Sequence, residues 1–445
     1  MAQLIVSISG IRGIVGDGLG PAEAERFGLA FGTHLGRGAV VLGRDSRPTG
    51  PMLANAVRTG LLATGCAVLD VGVLSTPGVS LMVRQRAARG GVIITASHNP
   101  TPYNGIKLLS PEGMALDREQ GQAIVRFYTQ NQFAKTTARG STETSDDGAA
   151  IHVERVLSIL DAEMIRTHAF SVVFDPVNGA GGREMTILLE QLGCTLTVIN
   201  GEPTGEFGRE PEPLAKNLRS LCAAVTGANA NIGLALDPDA DRLALVDETG
   251  RAVGEEYTLA LTTRHRLTQQ PGPVAANLST SRMMDHVADE AGVPLYRTAV
   301  GELNVAEAIL AHGCVIGGEG NGGVIDPRVV PVRDSLVGAG LILEAMAARN
   351  RKLSQLCAEL PALAMVKDKV PLAGTQPEAV FDAARQHFAD ARVDQRDGLH
   401  LAWDNGWLHI RASNTEPILR IIAEARQAAT ARAWVRDVKT LAGRA

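Results

Sequence analysis

Short apolar runs and longer amphipathic stretches alternate along most of this chain. The apolar runs, rich in β-branched residues, predict buried strands at 39–43, 67–72, 91–95, 171–175, 195–199, 232–236, 274–278 and 314–318. Helical patterns lie between them, as at 21–35, 51–64 and 335–348, and Asp334 or Ser335 would cap the last. Continuous apolar strands that alternate with helices predict α/β units whose mixed sheets are covered on both faces.

The order of elements predicts a chain of several domains. Similar orders recur in three consecutive parts, although no clean sequence repeat accompanies them, and the polar segment 136–149 reads as a linker or surface loop. The last 80 residues differ, because Asn405-Gly406 between two alternating strands predicts a hairpin. We therefore expect three related α/β mixed-sheet domains, residues 1–153, 154–253 and 254–365, plus a smaller C-terminal α+β domain, residues 366–445.

Composition limits the possible binding partners and the cellular compartment of the protein. The 445 residues carry a formal net charge of −5 and no long basic run, which argues against nucleic acid or an anionic membrane as the main partner. Five scattered cysteines without CxxC spacing favour a reducing compartment. The apolar N-terminal run lacks a preceding basic region, and no apolar stretch reaches the ~18 residues of a membrane span. These features predict a cytoplasmic protein.

A serine stands at the end of one predicted strand, in "GVIITASHNP" (91–100). The strand ends at Ala96, so Ser97 and His98 lie in a loop of small residues that Asn99-Pro100 terminates. A serine hydrolase would need Gly-x-Ser-x-Gly, which this loop lacks. Ser97 alone is compatible with an ordinary strand end, so its interpretation depends on other loops.

Three aspartates alternate in "LALDPDADRLALVDETG" (234–250). In an extended strand Asp237 and Asp241 would lie about 13 Å apart, so the segment must turn if they act together with Asp239. Three close carboxylates repel one another unless a cation lies between them, and oxygen ligands favour Mg²⁺. A phosphate on Ser97 would supply a further oxygen ligand to that ion.

Other interpretations of this acidic loop stay open. A solvated acidic turn needs no ion at all. A calcium EF-hand would use Glu248 at the twelfth position, but its sixth position should be Gly and is Arg242, and the flanks are strands. A haloacid-dehalogenase-type phosphatase would carry its phosphate on Asp237, although a Thr would usually stand where Asp241 does. A non-catalytic sugar-phosphate or Ca²⁺-binding protein is a further possibility.

Two more loops offer groups for ligands. "GGEGNGGVIDP" (317–327) combines glycines, which permit close approach of the backbone, with Glu319 and Asn321, which suit sugar hydroxyls. "RASNTEPILR" (411–420) concentrates donors for a dianionic phosphate: Arg411, Ser413, Asn414, Thr415 and Arg420. Each loop could also be an ordinary turn. Arg44, Asp45 and Arg47 of "GRDSRPTG" (43–50) either stabilise the first domain or line a cleft.

Taken together, the four loops resemble those of the α-D-phosphohexomutase superfamily (phosphoglucomutase, phosphomannomutase and phosphoglucosamine mutase) over the whole chain. "TASHNP" is similar to the phosphoserine loop, "DPDADR" to the metal loop, "GEGNGG" to the sugar loop and "RASNTEP" to the phosphate loop. "SGIRG" and "NGIK" add Arg12 and Lys107 to the active site. The resemblance implies that all four domains face one central cleft.

The resemblance also implies a reaction. Phospho-Ser97 gives its phosphoryl group to a hexose monophosphate, and the other phosphate of the resulting 1,6-bisphosphate returns to Ser97. One Mg²⁺ is bound by Ser97, Asp237, Asp239 and Asp241, and a hexose 1,6-bisphosphate serves as activator. The remaining roles fall to Lys107, Arg12 and His98 (proton handling and positioning), Arg242 (phosphoserine or reacting phosphate), Glu319 and Asn321 (sugar) and the fourth loop (the phosphate that does not react).

One departure from the family pattern affects the substrate. Many members carry Ser followed by Gly-His in the sugar loop, whereas Asn321-Gly322-Gly323 provides no imidazole. "GGEGNGG", together with "RTAVGELNVAE" (297–307), is more similar to the archaeal-type phosphoglucosamine mutase and phosphomannomutase/phosphoglucomutase group. We expect a phosphoglucosamine mutase acting as a monomer or homodimer, with glucose or mannose phosphates as the alternative substrates.

Overall fold

The computed structural model describes residues 4–372, 376–413 and 418–443. They form three successive α/β units, each on its own mixed sheet, and a C-terminal α+β unit on an antiparallel sheet. The predicted fold class is confirmed. The predicted domain boundaries after residues 153, 253 and 365 stay predictions.

The first unit contains a sheet in the order β1-β2-β7-β6-β4-β5-β8, with β3 beside β2. Its strands are β1 (Ile5–Ser7), β2 (Gly10–Val15), β3 (Gly18–Leu19), β4 (Ala39–Arg44), β5 (Ala67–Val73), β6 (Gly90–Ile94), β7 (Tyr103–Leu109) and β8 (Thr142–Thr144). Its helices are α1 (Pro21–Leu35), α2 (Gly50–Ala63), α3 (Thr76–Gln85) and α4 (Arg118–Gln130).

The second and third units each contain a four-stranded sheet, in the orders β10-β9-β11-β12 and β14-β13-β15-β16. The second comprises α5 (Gly148–Leu157), α6 (Ala162–Thr167), β9 (Ser171–Asp175), α7 (Gly182–Gln191), β10 (Thr195–Val198), a 3₁₀ turn (Ala215–Asn217), α8 (Arg219–Gly227), β11 (Ile232–Leu236) and β12 (Leu243–Asp247). The third comprises α9 (Glu255–Gln269), β13 (Val274–Asn277), α10 (Met283–Ala291), β14 (Leu295–Thr298), α11 (Glu302–His312), β15 (Ile316–Glu319), β16 (Gly323–Ile325), α12 (Ser335–Arg349) and α13 (Leu353–Ala358).

One four-stranded motif recurs in these three units. In each, a first strand lies between two parallel neighbours, and the second of those neighbours pairs antiparallel with a fourth strand: β5-β4-β6-β7, β10-β9-β11-β12 and β14-β13-β15-β16. The connection between the third and fourth strands of the motif is 95–102, 237–242 or 320–322. Three of the four loops singled out in the sequence therefore occupy equivalent positions in a repeated architecture.

The C-terminal unit is a five-stranded antiparallel sheet in the order β17-β21-β20-β19-β18. Its elements are β17 (Ala364–Pro371), α14 (Pro377–His387), β18 (Arg392–Asp394), β19 (Leu399–Trp403), β20 (Gly406–Ala412), β21 (Ile418–Ala425) and α15 (Ala428–Ala442). The predicted hairpin is β19–β20, and because Trp403 pairs with Gly406, its two turn residues are Asp404 and Asn405.

The predicted helices and strands agree closely with the structure. The segment 136–149, predicted as a linker or surface loop, does not. Each predicted strand matches an observed one within two residues, and Asp334 caps α12 by accepting from the amides of Leu336 (2.9 Å) and Val337 (3.3 Å). Segment 136–149 is more than a linker, because it contributes β8, parallel to β5, and the start of α5. All three residues of β8 are exposed, so its backbone pairing leaves no hydrophobic pattern to read.

The core of the second and third units is continuous, and α12 lies within it. From Ser335 to Ala347 every residue of α12 is buried, which is typical of a helix surrounded on all sides by protein. It packs against α5, α6, α7 and α9. In the described ranges no helix is long and apolar enough to cross a membrane, and all five cysteines are free thiols.

A buried cluster of charged side chains joins the second and third units. The two ring nitrogens of His152, on α5, lie 2.7 Å from Glu184 Oε1 on α7 and 2.8 Å from Asp334 Oδ2. All three side chains are at most 1% exposed. Burial by itself lowers the pKa of His152, but the carboxylates of Asp334 and Glu184 outweigh it and raise that pKa to about 10.

This cluster predicts a pH-dependent stability. A histidine whose pKa is raised from 6.5 to about 10 on folding binds more protons in the folded protein between those pH values. Its contribution is therefore complete below pH ~6.5 and is lost as the pH rises towards ~10. We expect the free energy of unfolding to fall by about 2 kcal/mol more between pH 7.5 and 9.5 in the wild type than in His152→Gln. Urea unfolding at both pH values measures this, and equal losses would contradict it.

Candidate active site and metal centre

Ser97 lies in the loop between β6 and β7, in a backbone conformation that few serines adopt. Its φ is +49°, in the left-handed region, and its amide donates to Thr95 Oγ1 at 2.9 Å. The side chain is buried, and its hydroxyl donates to Asp237 Oδ2 at 3.2 Å and lies 3.4 Å from His98 Nδ1. The loop therefore directs the hydroxyl at the acidic loop of the second unit.

A buried arginine holds this serine loop from behind. Arg47, with no exposed surface, donates to the carbonyl oxygens of Ser97 and Asn99, both at 2.7 Å, and to those of Pro100 and Tyr103, both at 3.0 Å. Asp45 accepts from Arg47 Nε at 3.0 Å and from Thr95 Oγ1 at 2.6 Å. The segment 43–50, whose role the sequence left undecided, thus supports the loop that carries Ser97.

The three aspartates come together in the turn between β11 and β12. Asp237, Asp239 and Asp241 have no exposed surface, and one carboxylate oxygen from each lies within 4.8 Å of the others. Asp239 Oδ1 and Asp241 Oδ1 are buried without a hydrogen-bond partner among the described residues. Buried carboxylate oxygens normally have partners, so this donor set fits a hard divalent cation.

The pKa values of the triad show that its three carboxylates repel one another. Burial, followed by the charges of Asp241 and Asp239, raises the pKa of Asp237 well above its usual range. Burial would also raise the pKa of Asp239, yet Lys107 Nζ and Thr76 Oγ1, each 2.8 Å from its Oδ2, lower it. One carboxylate is thus stabilised by neighbouring residues, whereas another lacks enough positive charge.

Lys107, Arg12 and His98 surround the serine and the triad. Burial opposes the charge of Lys107, on β7, but Asp239 and Asp241 raise its pKa, so the ammonium group persists. Arg12 Nη1, on β2, donates to Asn99 Oδ1 at 3.2 Å. Burial, with the charges of Arg242 and Arg12, holds the pKa of His98 well below 6.5. The imidazole beside Ser97 is therefore neutral.

Arg242 lies at the rim of the triad. Its Nε is 3.6 Å from Asp241 Oδ1 and is buried without a hydrogen-bond partner among the described residues, while Nη1 is 3.4 Å from Glu212 Oε1. Glu248, the twelfth residue of an EF-hand reading, instead accepts from the Ser354 amide at 3.3 Å. With strands on both sides, the loop is not an EF-hand.

Glu319 ends β15 and is held from several sides. It accepts from Asn277 Nδ2 at 2.8 Å, the Gly301 amide at 3.1 Å and Arg333 Nη1 at 2.6 Å. Burial opposes its charge, but Arg333 and Asn277 lower its pKa, so the carboxylate is ionised. Asn321 Nδ2 lies 3.4 Å away from Glu319 Oε2.

Gly320, between these two residues of the sugar loop, leaves space for the carboxylate of Glu256. A Cβ on Gly320 would lie 1.8 Å from Glu256 Oε2, because the first residues of α9 pack directly against the loop. Glu256 is itself 3.3 Å from Lys367 Nζ, on the first strand of the C-terminal unit. A side chain at position 320 would therefore have to displace the carboxylate of Glu256.

Arg333 is a site residue that the sequence reasoning missed. Its Nη2 lies 2.5 Å from Asp241 Oδ2, its Nη1 2.6 Å from Glu319 and its Nε 2.8 Å from Glu302. One guanidinium group thus joins the acidic turn to the sugar loop. Its only sequence signal is its position immediately before the cap of α12, and nothing in that local pattern indicates its partners.

The fourth loop is only partly described. Asn414 and Thr415 lie outside the described residues. Arg411 and Arg420 pair across β20 and β21, and the Ser413 amide donates to the Ile418 carbonyl at 2.9 Å. Asp397, 3.1 Å from Arg411 Nε, also accepts from the Val300 amide at 2.9 Å, next to Gly301. The structure thus brings the other predicted site residues together and connects this loop to them through the third unit.

Comparison with known proteins gives a consistent family. Four profiles described as Phosphoglucomutase/phosphomannomutase match consecutive parts of the chain: alpha/beta/alpha domain I at 4–135, domain II at 150–250, domain III at 254–363 and the C-terminal domain at 357–441. Together the matches cover nearly the whole sequence, and each contains the strands of one of the four sheets apart from β8.

Individual relatives align with this chain over almost their full lengths. A Phosphoglucomutase/phosphomannomutase of Thermococcus kodakarensis is 38% identical over 436 residues, 96% of this chain and 95% of that protein. A protein of Methanopyrus kandleri named "Probable phosphoglucosamine mutase" is also 38% identical, over 95% of this chain and 94% of its own. A crystal structure of a phosphoglucomutase/phosphomannomutase family protein from Burkholderia thailandensis superposes with a TM-score of 0.87 at 29% identity, covering 98% of this chain and 96% of that one.

The acidic triad predicts a measurable response to a cation. Mg²⁺ should raise the Tm of the wild type relative to EDTA, because a ligand that binds only the folded state stabilises it. Asp241→Asn should lose most of the Mg²⁺-dependent increase in Tm, since it removes one of the three carboxylates that would bind the ion.

Glu212→Gln provides the matched control, because it removes a carboxylate beside Arg242 but outside the triad. It should keep the full Mg²⁺-dependent rise in Tm. Equal Mg²⁺ responses in Asp241→Asn and the wild type would show that the triad does not bind the ion.

Proposed function

The chain belongs to the phosphoglucomutase/phosphomannomutase family and is a phosphohexomutase, and we propose that it converts glucosamine 6-phosphate to glucosamine 1-phosphate. The observation that carries the mechanism is the position of the Ser97 hydroxyl, 3.2 Å from a buried aspartate of the triad. A serine there can carry the phosphoryl group that the enzyme gives and takes back.

Each half-reaction exchanges one phosphate ester for another. The bond between Ser97 Oγ and phosphorus breaks as a sugar hydroxyl oxygen bonds to that phosphorus, and the proton that the hydroxyl gives up ends on the departing Ser97 Oγ. The 1,6-bisphosphate then turns over in the cleft, and its other phosphoryl group passes to Ser97 in the reverse sense. A free hexose 1,6-bisphosphate would act as activator by phosphorylating Ser97.

The neighbouring residues divide the remaining tasks. The neutral imidazole of His98 is suited to accept and return the proton, whereas Lys107 and Arg12 are positively charged and are suited to orient phosphate oxygens. Asp237, Asp239 and Asp241, with an oxygen of phosphorylated Ser97, would hold one Mg²⁺, which when bound offsets charge on the transferring phosphoryl group. Arg242 would contact the reacting phosphate.

The sugar and the second phosphate are assigned to the third and fourth units. Glu319 and Asn321 would bind hydroxyl groups that the substrate presents in both orientations. The phosphate that does not react would be bound by Arg411, Ser413, Asn414, Thr415 and Arg420. The described contacts support this division, because Asp397 links Arg411 to the loop before α11 that also contacts Glu319.

The choice of glucosamine rests on relatives and on the sugar loop. The Methanopyrus kandleri relative carries the name of a phosphoglucosamine mutase, and Asn321 is followed by two glycines rather than by histidine. The equally similar Thermococcus kodakarensis relative carries both other names, which makes glucose or mannose phosphates the alternative substrates.

We further propose that the enzyme works in the cytoplasm as a monomer or homodimer, and its free thiols support that compartment.

The test compares three substrates in one assay. Mutase turnover is measured with Mg²⁺ and a trace of the matching 1,6-bisphosphate on glucosamine 6-phosphate, glucose 1-phosphate and mannose 1-phosphate. We expect the highest kcat/KM for glucosamine phosphate. A preference for glucose or mannose phosphate would keep the mechanism and overturn the substrate.

Ser97→Ala should abolish turnover of every substrate, because no hydroxyl remains to carry the phosphoryl group. Ser80→Ala is the control, since Ser80 is also a buried serine but its hydroxyl has no hydrogen-bond partner among the described residues. It should retain activity within about two-fold. Turnover that survives in Ser97→Ala would exclude Ser97 as the phosphoryl carrier.

Arg47→Lys tests the support behind the serine loop. A lysine cannot reach four carbonyl oxygens at once, so the loop should lose its fixed conformation although the positive charge remains. We expect kcat to fall by about 100-fold or more, with KM for the sugar phosphate changed by less than about three-fold. An unchanged kcat in a stable Arg47→Lys protein would show that Ser97 needs no such support.

A further inference from the structure

The turn that carries the three aspartates is held on both sides by residues of other units. Thr76, the first residue of α3, donates from its amide to the Asp239 carbonyl at 2.9 Å and from its hydroxyl to Asp239 Oδ2 at 2.8 Å. On the other side, the Ser335 hydroxyl donates to the Ala240 carbonyl at 2.7 Å, and Arg333 contacts Asp241. The first turns of α3 and α12 therefore fix the two halves of the acidic turn.

The caps of these two helices share one support. Ser75, the cap of α3, donates from its amide (2.8 Å) and hydroxyl (2.7 Å) to Glu184. Asp334, the cap of α12, directly precedes Ser335. His152 lies between Glu184 and Asp334, within 2.8 Å of each. Buried hydrogen bonds, together with the peptide links Ser75–Thr76 and Asp334–Ser335, thus connect one side of the acidic turn to the other.

The charge of this support matters for the spacing of the two helices. Both ring nitrogens of His152 face carboxylate oxygens, an arrangement that only the doubly protonated ring satisfies with two donors. Without that ring, Glu184 and Asp334 would be two unpaired carboxylates inside the protein, a strongly destabilising arrangement. Their repulsion would separate the starts of α3 and α12, and with them the residues that hold Asp239 and Asp241.

We propose that His152 is a positioning residue for the metal centre, acting through Glu184 and Asp334 to set the spacing of Asp239 and Asp241. It touches neither the aspartates nor Ser97. The inference rests on the proposed binding of a divalent cation by the triad, and it adds that the affinity for this cation is set by a buried imidazolium in the interface of three units.

Metal binding is measured directly, with Mn²⁺ as the probe and electron paramagnetic resonance to count free ions, in the absence of any sugar phosphate. His152→Gln should bind Mn²⁺ at least ten-fold more weakly than the wild type. His265→Gln is the matched control, because His265 is also buried and its Nε2 lies 2.8 Å from Glu344, but it has no contact with the acidic turn. Its Mn²⁺ affinity should stay within two-fold of wild type.

Turnover provides a second readout that a purely structural role would not move. In His152→Gln the Mg²⁺ concentration for half-maximal activity should rise at least ten-fold, while KM for the sugar phosphate at saturating Mg²⁺ stays within about two-fold. A folded His152→Gln protein with wild-type Mn²⁺ affinity would overturn the proposal, whatever its Tm.

Ser75→Ala keeps the proposal testable if His152→Gln does not fold. It removes the Ser75 hydroxyl from Glu184 but leaves His152 and Asp334 in place, and we expect Mn²⁺ to bind about three-fold more weakly. Wild-type affinity in Ser75→Ala would then overturn the proposal. A wild-type protein that binds Mn²⁺ without mutase activity contradicts only the proposed function, whereas one that binds no Mn²⁺ overturns the metal centre and this inference together.

Discussion

Mutual repulsion among three buried carboxylates is the constraint on which the arrangement of this protein depends. Two unit charges about 5 Å apart repel by roughly 3 kcal/mol at an effective dielectric constant of 20, and a domain is typically stable by only about 5–15 kcal/mol. The turn between β11 and β12 cannot offset this by itself. Lys107 and Thr76 of the first unit stabilise Asp239, and Arg333 of the third stabilises Asp241. The acidic turn therefore requires three units in fixed relative positions, and part of its charge is left for a cation to balance.

The repeated motif explains how loops so distant in sequence meet. The serine, metal and sugar loops all join the third and fourth strands of the same four-stranded arrangement. Ligands of α/β sheets bind at the carboxyl ends of parallel strands, and each unit presents that end to the others. The second and third units also share a continuous core around α12, whose first turn contacts the metal loop. The same helix, α12, therefore contributes both to the hydrophobic core and to the position of the acidic turn.

The sequence predicted what local pattern encodes and missed what only tertiary contact creates. Strands, helices, the Asp334 cap and the four loops follow from periodicity, turn residues and charge within a few positions of one another. Arg333 and His152 are single residues whose partners lie far away in sequence, so no spacing indicated them. The sequence left open whether Arg47 stabilises the first domain or lines a cleft. Its four carbonyl partners belong to a loop about 50 residues later, so the local pattern does not indicate them. Strand β8 was missed because backbone pairing at an exposed edge leaves no side-chain signature.

The different contacts of Glu319 and Asn321 have a consequence for substrate preference. Glu319 is bound to Arg333 and through it to the metal centre, so a change at Glu319 would disturb the chemistry. The side chain of Asn321 makes no direct hydrogen bond to Arg333 or to the three aspartates among the described residues, and its own hydrogen bonds are to Glu319 and Gly323. If Asn321 binds the sugar as proposed, a substitution at this position would change the preferred sugar and leave phosphoryl transfer intact. Two relatives of equal similarity to this chain that carry the names of different sugar mutases are the outcome that such a division of roles would leave.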